Sequence, residues 1–135
     1  MIIVLDASAA VEVALERKHS KTIMPLFEAA EWIVAPDLFP SEIVNTAWKM
    51  HAFSAMPHDD CLDLIDDAIA LIDDFYDTKQ MAREVFALAS QTKTAAYDSF
   101  YLSLARRLDA TLVTMDKKLA RTAHGITIPV LPKLQ

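Results

Sequence analysis

Apolar and polar positions follow two distinct rhythms along this chain. Residues 2–5 (IIVL), 32–35 (WIVA) and 111–114 (TLVT) are short, nearly continuous apolar runs, as carried by strands buried on both faces of a parallel sheet. Weaker runs lie near Phe75–Tyr76 and at Thr127–Val130. Between them, apolar residues recur at intervals of three and four, which predicts helices at about 8–16, 22–30, 40–54, 58–73, 80–91, 95–108 and 116–123. Pro40-Ser41 suits a first helical turn, whereas Pro25 blurs the boundary of the second helix. Strands alternating with helices predict right-handed βαβ units and a three-layer α/β domain. The stretch 38–74 carries two successive helices and no strand, so the expected sheet is small and the fold rich in helix.

Composition narrows the chemistry. The 135 residues suit one domain, 1–135, and 53% hydrophobic content against 24% charged supplies its core. Gly125 is the sole glycine, which excludes dinucleotide fingerprints, phosphate loops and the nucleophile elbow, since each needs several glycines for close backbone approach. His19, His51, His58 and His124 show no paired metal spacing, and the lone Cys61 permits neither a disulfide nor a CxxC knuckle. The opening MIIVLD lacks a basic leader and is interrupted by Asp6 and Glu12, so it does not read as a signal peptide. No run approaches the ~18 apolar residues of a membrane span, and a cytoplasmic protein with no membrane partner is expected. A net charge of -6 argues against a broad electrostatic nucleic-acid binder. Any activity on RNA must come from a local site whose bound cations reverse the field.

Four carboxylates stand out by position. Asp6 follows the first strand run, and Asp116 follows the run 111–114 by one residue. In doubly wound sheets, ligands bind beyond the carboxyl ends of strands where the strand order reverses, so acids at two strand ends are placed to meet. Taken singly, each also reads as a helix N-cap. Glu42 lies early in the third helix and shares a face with Asn45 and Lys49, while Ile43, Ala47 and Met50 cover another; alone, it also reads as a solvated first-turn acid. Asp98, in YDSFYLSLARRL, falls beside Tyr101, Leu102 and Ala105 on the apolar stripe, with Ser99, Ser103 and Arg106 as the polar face. A carboxylate at the head of such a stripe needs a partner: the helix dipole, an ion pair or a metal. Oxygen-only ligands from strand ends and helix starts suit a hard cation, Mg²⁺ or Mn²⁺, which would polarise a phosphodiester and lower the pKa of an attacking water.

The denser acidic stretch 59–77 means less. Leu62, Ile65, Ile69 and Ile72 repeat at helical spacing and leave Asp59, Asp63 and Asp66 or Asp67 on a solvated face. Trp32, Trp48 and Phe86 are expected to be core residues.

With those residues in hand, the chain resembles the PIN-domain nucleases, in particular the VapC-type toxins of prokaryotic type II toxin–antitoxin systems. The resemblance rests on four segments in family order: IIVLDASAAVEVAL, APDLFPSEIVNTAWK, TAAYDSFYLSLARRL and ATLVTMDKKLAR. It implies a three-layer PIN-like domain with a small parallel sheet of order 3-2-1-4-5 flanked by helices. It implies that Asp6, Glu42, Asp98 and Asp116 form an acidic catalytic and metal site for Mg²⁺ or Mn²⁺, supported by Ser8, Asn45 and Thr114. It also implies an endoribonuclease that acts as a toxin, a homodimer, and a cognate antitoxin whose C-terminal segment wraps the toxin groove. Lys117 stands where some relatives carry a further acid. Lys49, Lys93, Lys117 and Arg121 are candidates to hold RNA phosphates.

Other readings stay open. A housekeeping PIN nuclease of RNA processing shares the same site. A phosphatase with Asp6 as nucleophile needs a second Asp two residues on, where this chain has Ser8. A flap nuclease needs additional helical elements. A non-catalytic α/β interaction module would use its acids only as caps, against which the placement of Asp98 argues.

Overall fold

The computed structural model describes residues 1–133. In chain order the elements are β1 (Ile2–Leu5), α1 (Ala7–Ala14), α2 (Ser20–Ala29), β2 (Trp32–Pro36), α3 (Phe39–Ser54) and α4 (His58–Ala70). They continue with β3 (Asp74–Tyr76), α5 (Thr78–Thr92), α6 (Ala96–Leu108), β4 (Thr111–Val113), α7 (Lys117–Gly125) and β5 (Val130–Leu131). The five strands form one sheet of order β3-β2-β1-β4-β5, and every pairing is parallel. The expected order and the α/β class are those observed.

Strand alternation sorts the core into two layers of side chains. Ile3 and Leu5 face the cluster built from α1, α3 and α4, whereas Val4, Val34 and Leu112 face the one built from α5, α6 and α7. β1 lies between β2 and β4, with Leu5 opposite Val113, and its last three residues are fully buried. The continuous apolar run at 2–5 is the signature of that two-sided burial. Chain order switches sides at β1: β2 lies on one flank and β4 on the other. The carboxyl ends of β1 and β4 therefore border the crevice that such a topology opens.

Several helix details depart from the pattern-based expectation. Pro25 lies inside α2, and α4 ends at Ala70, so Asp73 precedes β3 and Asp74 opens it. The Asp73 carboxylate instead accepts from the Ile33 amide (2.9 Å), and the Asp74 carboxylate from the Trp32 indole (2.6 Å). The last strand starts at Val130, later than the apolar run at Thr127, which occupies a turn with Thr127 at positive φ. Ser99 and Ser103 do not form a solvated face. Both are buried, because α6 packs against α5 on one side and against β1, β2 and β4 on the other. Ser99 satisfies its hydroxyl by donating to the Ala95 carbonyl at 3.0 Å. Trp48 and Phe86 are exposed, not core. On α3 the buried stripe is Phe39, Ile43 and Ala47, which turns Trp48 outward onto Phe53 in an edge-to-face pair 5.6 Å apart. On α5 the stripe is Met81, Val85 and Leu88, which leaves Phe86 a third of a turn away.

Candidate metal centre

Asp6 leaves β1 at its carboxyl end, with its amide donating to the Val113 carbonyl of β4 (2.9 Å). It occupies the N-cap position of α1, yet its side chain makes no capping hydrogen bond to that helix. The capping role open to it on sequence grounds is therefore not what its carboxylate does. The Ser8 hydroxyl (2.6 Å) and the Thr114 hydroxyl (2.7 Å) both donate to its Oδ2. Oδ1 has no side-chain donor among the described residues. Asp6 is 7% exposed, and burial lifts its pKa above the ordinary carboxylate value; the nearby Asp116 charge acts in the same direction, while the Ser8 and Thr114 hydroxyls oppose it.

Ser8 and Thr114 link the two strand ends. Ser8 Oγ accepts from the Met115 amide (3.0 Å), and Thr114 Oγ1 accepts from the Asp116 amide (3.0 Å). Each hydroxyl thus donates to Asp6 and accepts from the segment bearing Asp116, which fixes the backbone of one acid against the carboxylate of the other. Thr114 is fully buried, and its amide donates to the Leu131 carbonyl of β5 (3.1 Å). Asp116 does cap its helix: Oδ1 accepts from the Lys118 amide (2.9 Å) and the Leu119 amide (3.1 Å) at the start of α7. Capping occupies one of its oxygens and leaves Oδ2 without a hydrogen bond among the described residues.

Glu42 and Asp98 approach from the two helical layers. Glu42 sits in the first turns of α3, and its Oε1 accepts a 2.5 Å hydrogen bond from the Tyr101 hydroxyl of α6. Burial raises Glu42 to about 7; the Tyr101 hydrogen bond opposes that shift, and the Asp6 and Asp98 charges add to it. Asp98 lies in the first turn of α6, three residues before Tyr101 and so on the same face. Its pKa is raised by burial and by the Asp6 and Asp116 charges, with Lys118 acting against them.

The structure thus brings Asp6, Glu42, Asp98 and Asp116 within electrostatic reach, with Asp6 coupled to each of the other three. Two neighbours carry no functional signal of their own in the sequence. Tyr101 reads there as an ordinary core aromatic, and its only signal is its spacing of three from Asp98. Lys118 stands next to the basic residue that was singled out, Lys117. Asn45 is exposed and makes no hydrogen bond to the acids among the described residues; Tyr101 occupies the role of Glu42 partner instead. Lys49, Lys93, Lys117 and Arg121 are all exposed.

The donor set suits a hard divalent cation. It consists of carboxylates, and burial first and neighbouring acids second raise Asp6, Glu42 and Asp98, a cost that bound positive charge relieves. Among the described residues no three His, Cys, Asp or Glu side chains are close enough to form a finished cage.

Comparison with known proteins agrees with this geometry. The family model described as PIN domain matches residues 3–125. Ribonuclease VapC3 from Pyrobaculum aerophilum is 23% identical over 131 residues, covering 96% of this chain and 100% of that protein. In fold, the chain is similar to the crystal structure of PAE2754, also from Pyrobaculum aerophilum, with a TM-score of 0.70 at 21% identity over 90% of this chain and 87% of the other. With a matched segment running from β1 through α7 and a sheet of the order its sequence resemblance implied, the chain belongs to the PIN-domain family.

Proposed function

We propose that this chain is a divalent-metal-dependent endoribonuclease, acting as one domain over residues 1–135. The observation that carries the reading is the convergence of Asp6, Glu42, Asp98 and Asp116 at the carboxyl ends of β1 and β4, with Asp6 held by two hydroxyls and not spent on a helix cap. Asp6, Asp98 and Asp116 would hold Mg²⁺ or Mn²⁺, directly or through water, together with Glu42. When bound, such a cation neutralises charge on a phosphodiester and lowers the pKa of an attacking water. Ser8 and Thr114 orient Asp6 toward the crevice. In the metal-free protein Glu42 sits at about 7; a bound cation would lower it, leaving a carboxylate able to help hold the ion or to orient the attacking water. Exposed Lys49, Lys93, Lys117 and Arg121 are the candidates to hold flanking phosphates, with Asn45 available to contact the substrate.

The experiment is RNA cleavage with Mg²⁺, with Mn²⁺ and with chelator, by the wild type and by Asp6→Asn and Asp98→Asn. Cleavage that needs the cation and is lost in both variants supports the reading. Full cleavage by both variants overturns it.

The toxin role rests on the likeness to a protein named Ribonuclease VapC3. We infer a cognate antitoxin partner, a homodimer and a cytoplasmic location on the same ground. In the described residues no helix is long and apolar enough to cross a membrane. Growth arrest on expression, relieved by co-expressing a short neighbouring reading frame, tests the toxin role against a housekeeping nuclease.

A further inference from the structure

All 19 acidic residues of the chain lie at or before Asp116; the segment after it carries Lys117, Lys118, Arg121 and Lys133 with no acid. In a protein of net charge -6 this is a sharp reversal of sign, and it begins at the residue after a site acid. The fold gathers three of these four cations into one feature. A cleft of about 650 Å³ opens between α7 and the last strand, with Lys117, Arg121 and Lys133 on its rim and Ala120, Val130 and Pro132 among its apolar walls. Its size lies within the range of small-molecule sites, large enough for a nucleotide. None of the three rim cations has an ion-pair partner among the described residues.

Two features of the chain tie the elements of the cleft to the acidic site. Asp116 caps α7, so Lys117 emerges directly from the site, and Arg121 follows about 7.5 Å along the helix axis. From the other side, Leu131 of β5 accepts from the amide of Thr114, which brings the strand leading to Lys133 against the residue that holds Asp6. An apolar floor with a cationic rim matches a ribose or base below and phosphates above, and phosphate charge dominates such affinities.

We propose that the α7–β5 cleft is a binding subsite for single-stranded RNA, holding a nucleotide and its phosphates beside the phosphodiester presented to the four acids. This rests on the ribonuclease reading and gives the substrate strand its path off the site.

The test measures binding of a short single-stranded phosphorothioate RNA, in Mg²⁺, across a salt series. Wild type is compared with Arg121→Gln/Lys133→Gln and with Arg17→Gln/Lys18→Gln, an equal charge change elsewhere on the surface. The cleft pair should weaken binding roughly tenfold and reduce the slope of log affinity against log salt by about 1.4, the loss of two phosphate contacts to a single strand. The control pair should leave both nearly unchanged. Equal effects from the two pairs, or no effect from the cleft pair, overturn the subsite. So does unchanged RNA binding together with lost binding of a poly-glutamate peptide, which would assign the cleft to an acidic protein segment. Wild-type protein that cleaves RNA while the cleft pair binds normally removes only the subsite. Wild type that neither binds nor cleaves RNA removes the ribonuclease reading as well.

Discussion

The Tyr101 hydroxyl donates to Glu42 across the top of the sheet, joining α6 to α3 through a hydrogen bond of 2.5 Å. Tyr101 is fully buried, so this hydroxyl has no water to fall back on. Tyr101→Phe keeps the ring and its packing while deleting the donor. It should destabilise the protein by about 1.5–3 kcal/mol in urea unfolding, the range for a hydrogen bond to a charged group. If Glu42 orients the attacking water, kcat should fall in this variant while RNA affinity stays near wild type. An unchanged urea midpoint would mean that Glu42 finds another donor.

The raised acids fix the sign of the pH dependence. Glu42 moves from 4.5 to about 7, and Asp6 and Asp98 are also shifted upward. In each case the folded state binds more protons than the unfolded state between the two pKa values, so stability falls as pH rises through that window. For Glu42 the contribution is fully present below about 4.5 and is lost by a pH somewhat above 7. Metal-free protein should therefore melt at a higher temperature at pH 5.5 than at pH 8, measured by calorimetry (the pH values span roughly that window). A melting temperature that climbs steadily with pH would contradict the raised values.

Divalent cations should reverse this trend. A cation bound only to the folded state stabilises it by mass action, about 2.7 kcal/mol at a hundredfold excess over its Kd. Melting temperature should rise with Mg²⁺ at pH 8, and the rise should shrink in Asp6→Asn and Asp98→Asn. A Mg²⁺ response of full size in both variants would place the cation elsewhere.

Thr114 offers a separate structural test. Its hydroxyl gives to Asp6 and receives from the Asp116 amide, and it is fully buried. Thr114→Val is nearly isosteric but takes one of two donors from Asp6 Oδ2 and strands the Asp116 amide, so a loss of about 1–3 kcal/mol is expected. Thr114→Ser should recover most of it, as read by chemical denaturation.

The acid-rich face of α4 should behave as ordinary surface. Asp63 and Asp66 are exposed on that helix and make no hydrogen bond or ion pair among the described residues. Asp63→Asn/Asp66→Asn should change stability by less than about 0.5 kcal/mol per site and leave RNA cleavage intact. Loss of cleavage in this double variant would place the site on the wrong acids.

Legibility of the fold in the sequence followed the burial of each element. β1, β2 and β4 are interior strands, and two-sided burial writes them as apolar runs. β3 and β5 are edge strands with no fully buried residue, so their apolar runs are weaker. For the site, Asp6 and Asp116 were visible because strand ends are marked by the run that precedes them. The Ser8–Asp6–Thr114 arrangement was reachable only through the family resemblance, since its members are 108 residues apart at the extreme. Tyr101 escaped notice because a buried aromatic on a helix stripe looks the same with or without a partner for its hydroxyl. Trp48 and Phe86 misled for a related reason: a large apolar residue adjacent to the buried stripe is indistinguishable in composition from one on it.

The Thr114–Asp6 contact also bears on how the molecule comes into being. β1 is made first, yet its neighbour β4 pairs with it only after more than a hundred residues have been laid down, with Ile3 opposite Thr111. Closing a loop of that size is entropically unfavourable until the sheet and both helical layers can consolidate it. A chain interrupted before Thr114 lacks Asp116, one of the four acids, as well as the hydroxyl that orients Asp6. Partial products of synthesis or proteolysis should be inert fragments rather than weak enzymes, and competence should arrive in a single cooperative step.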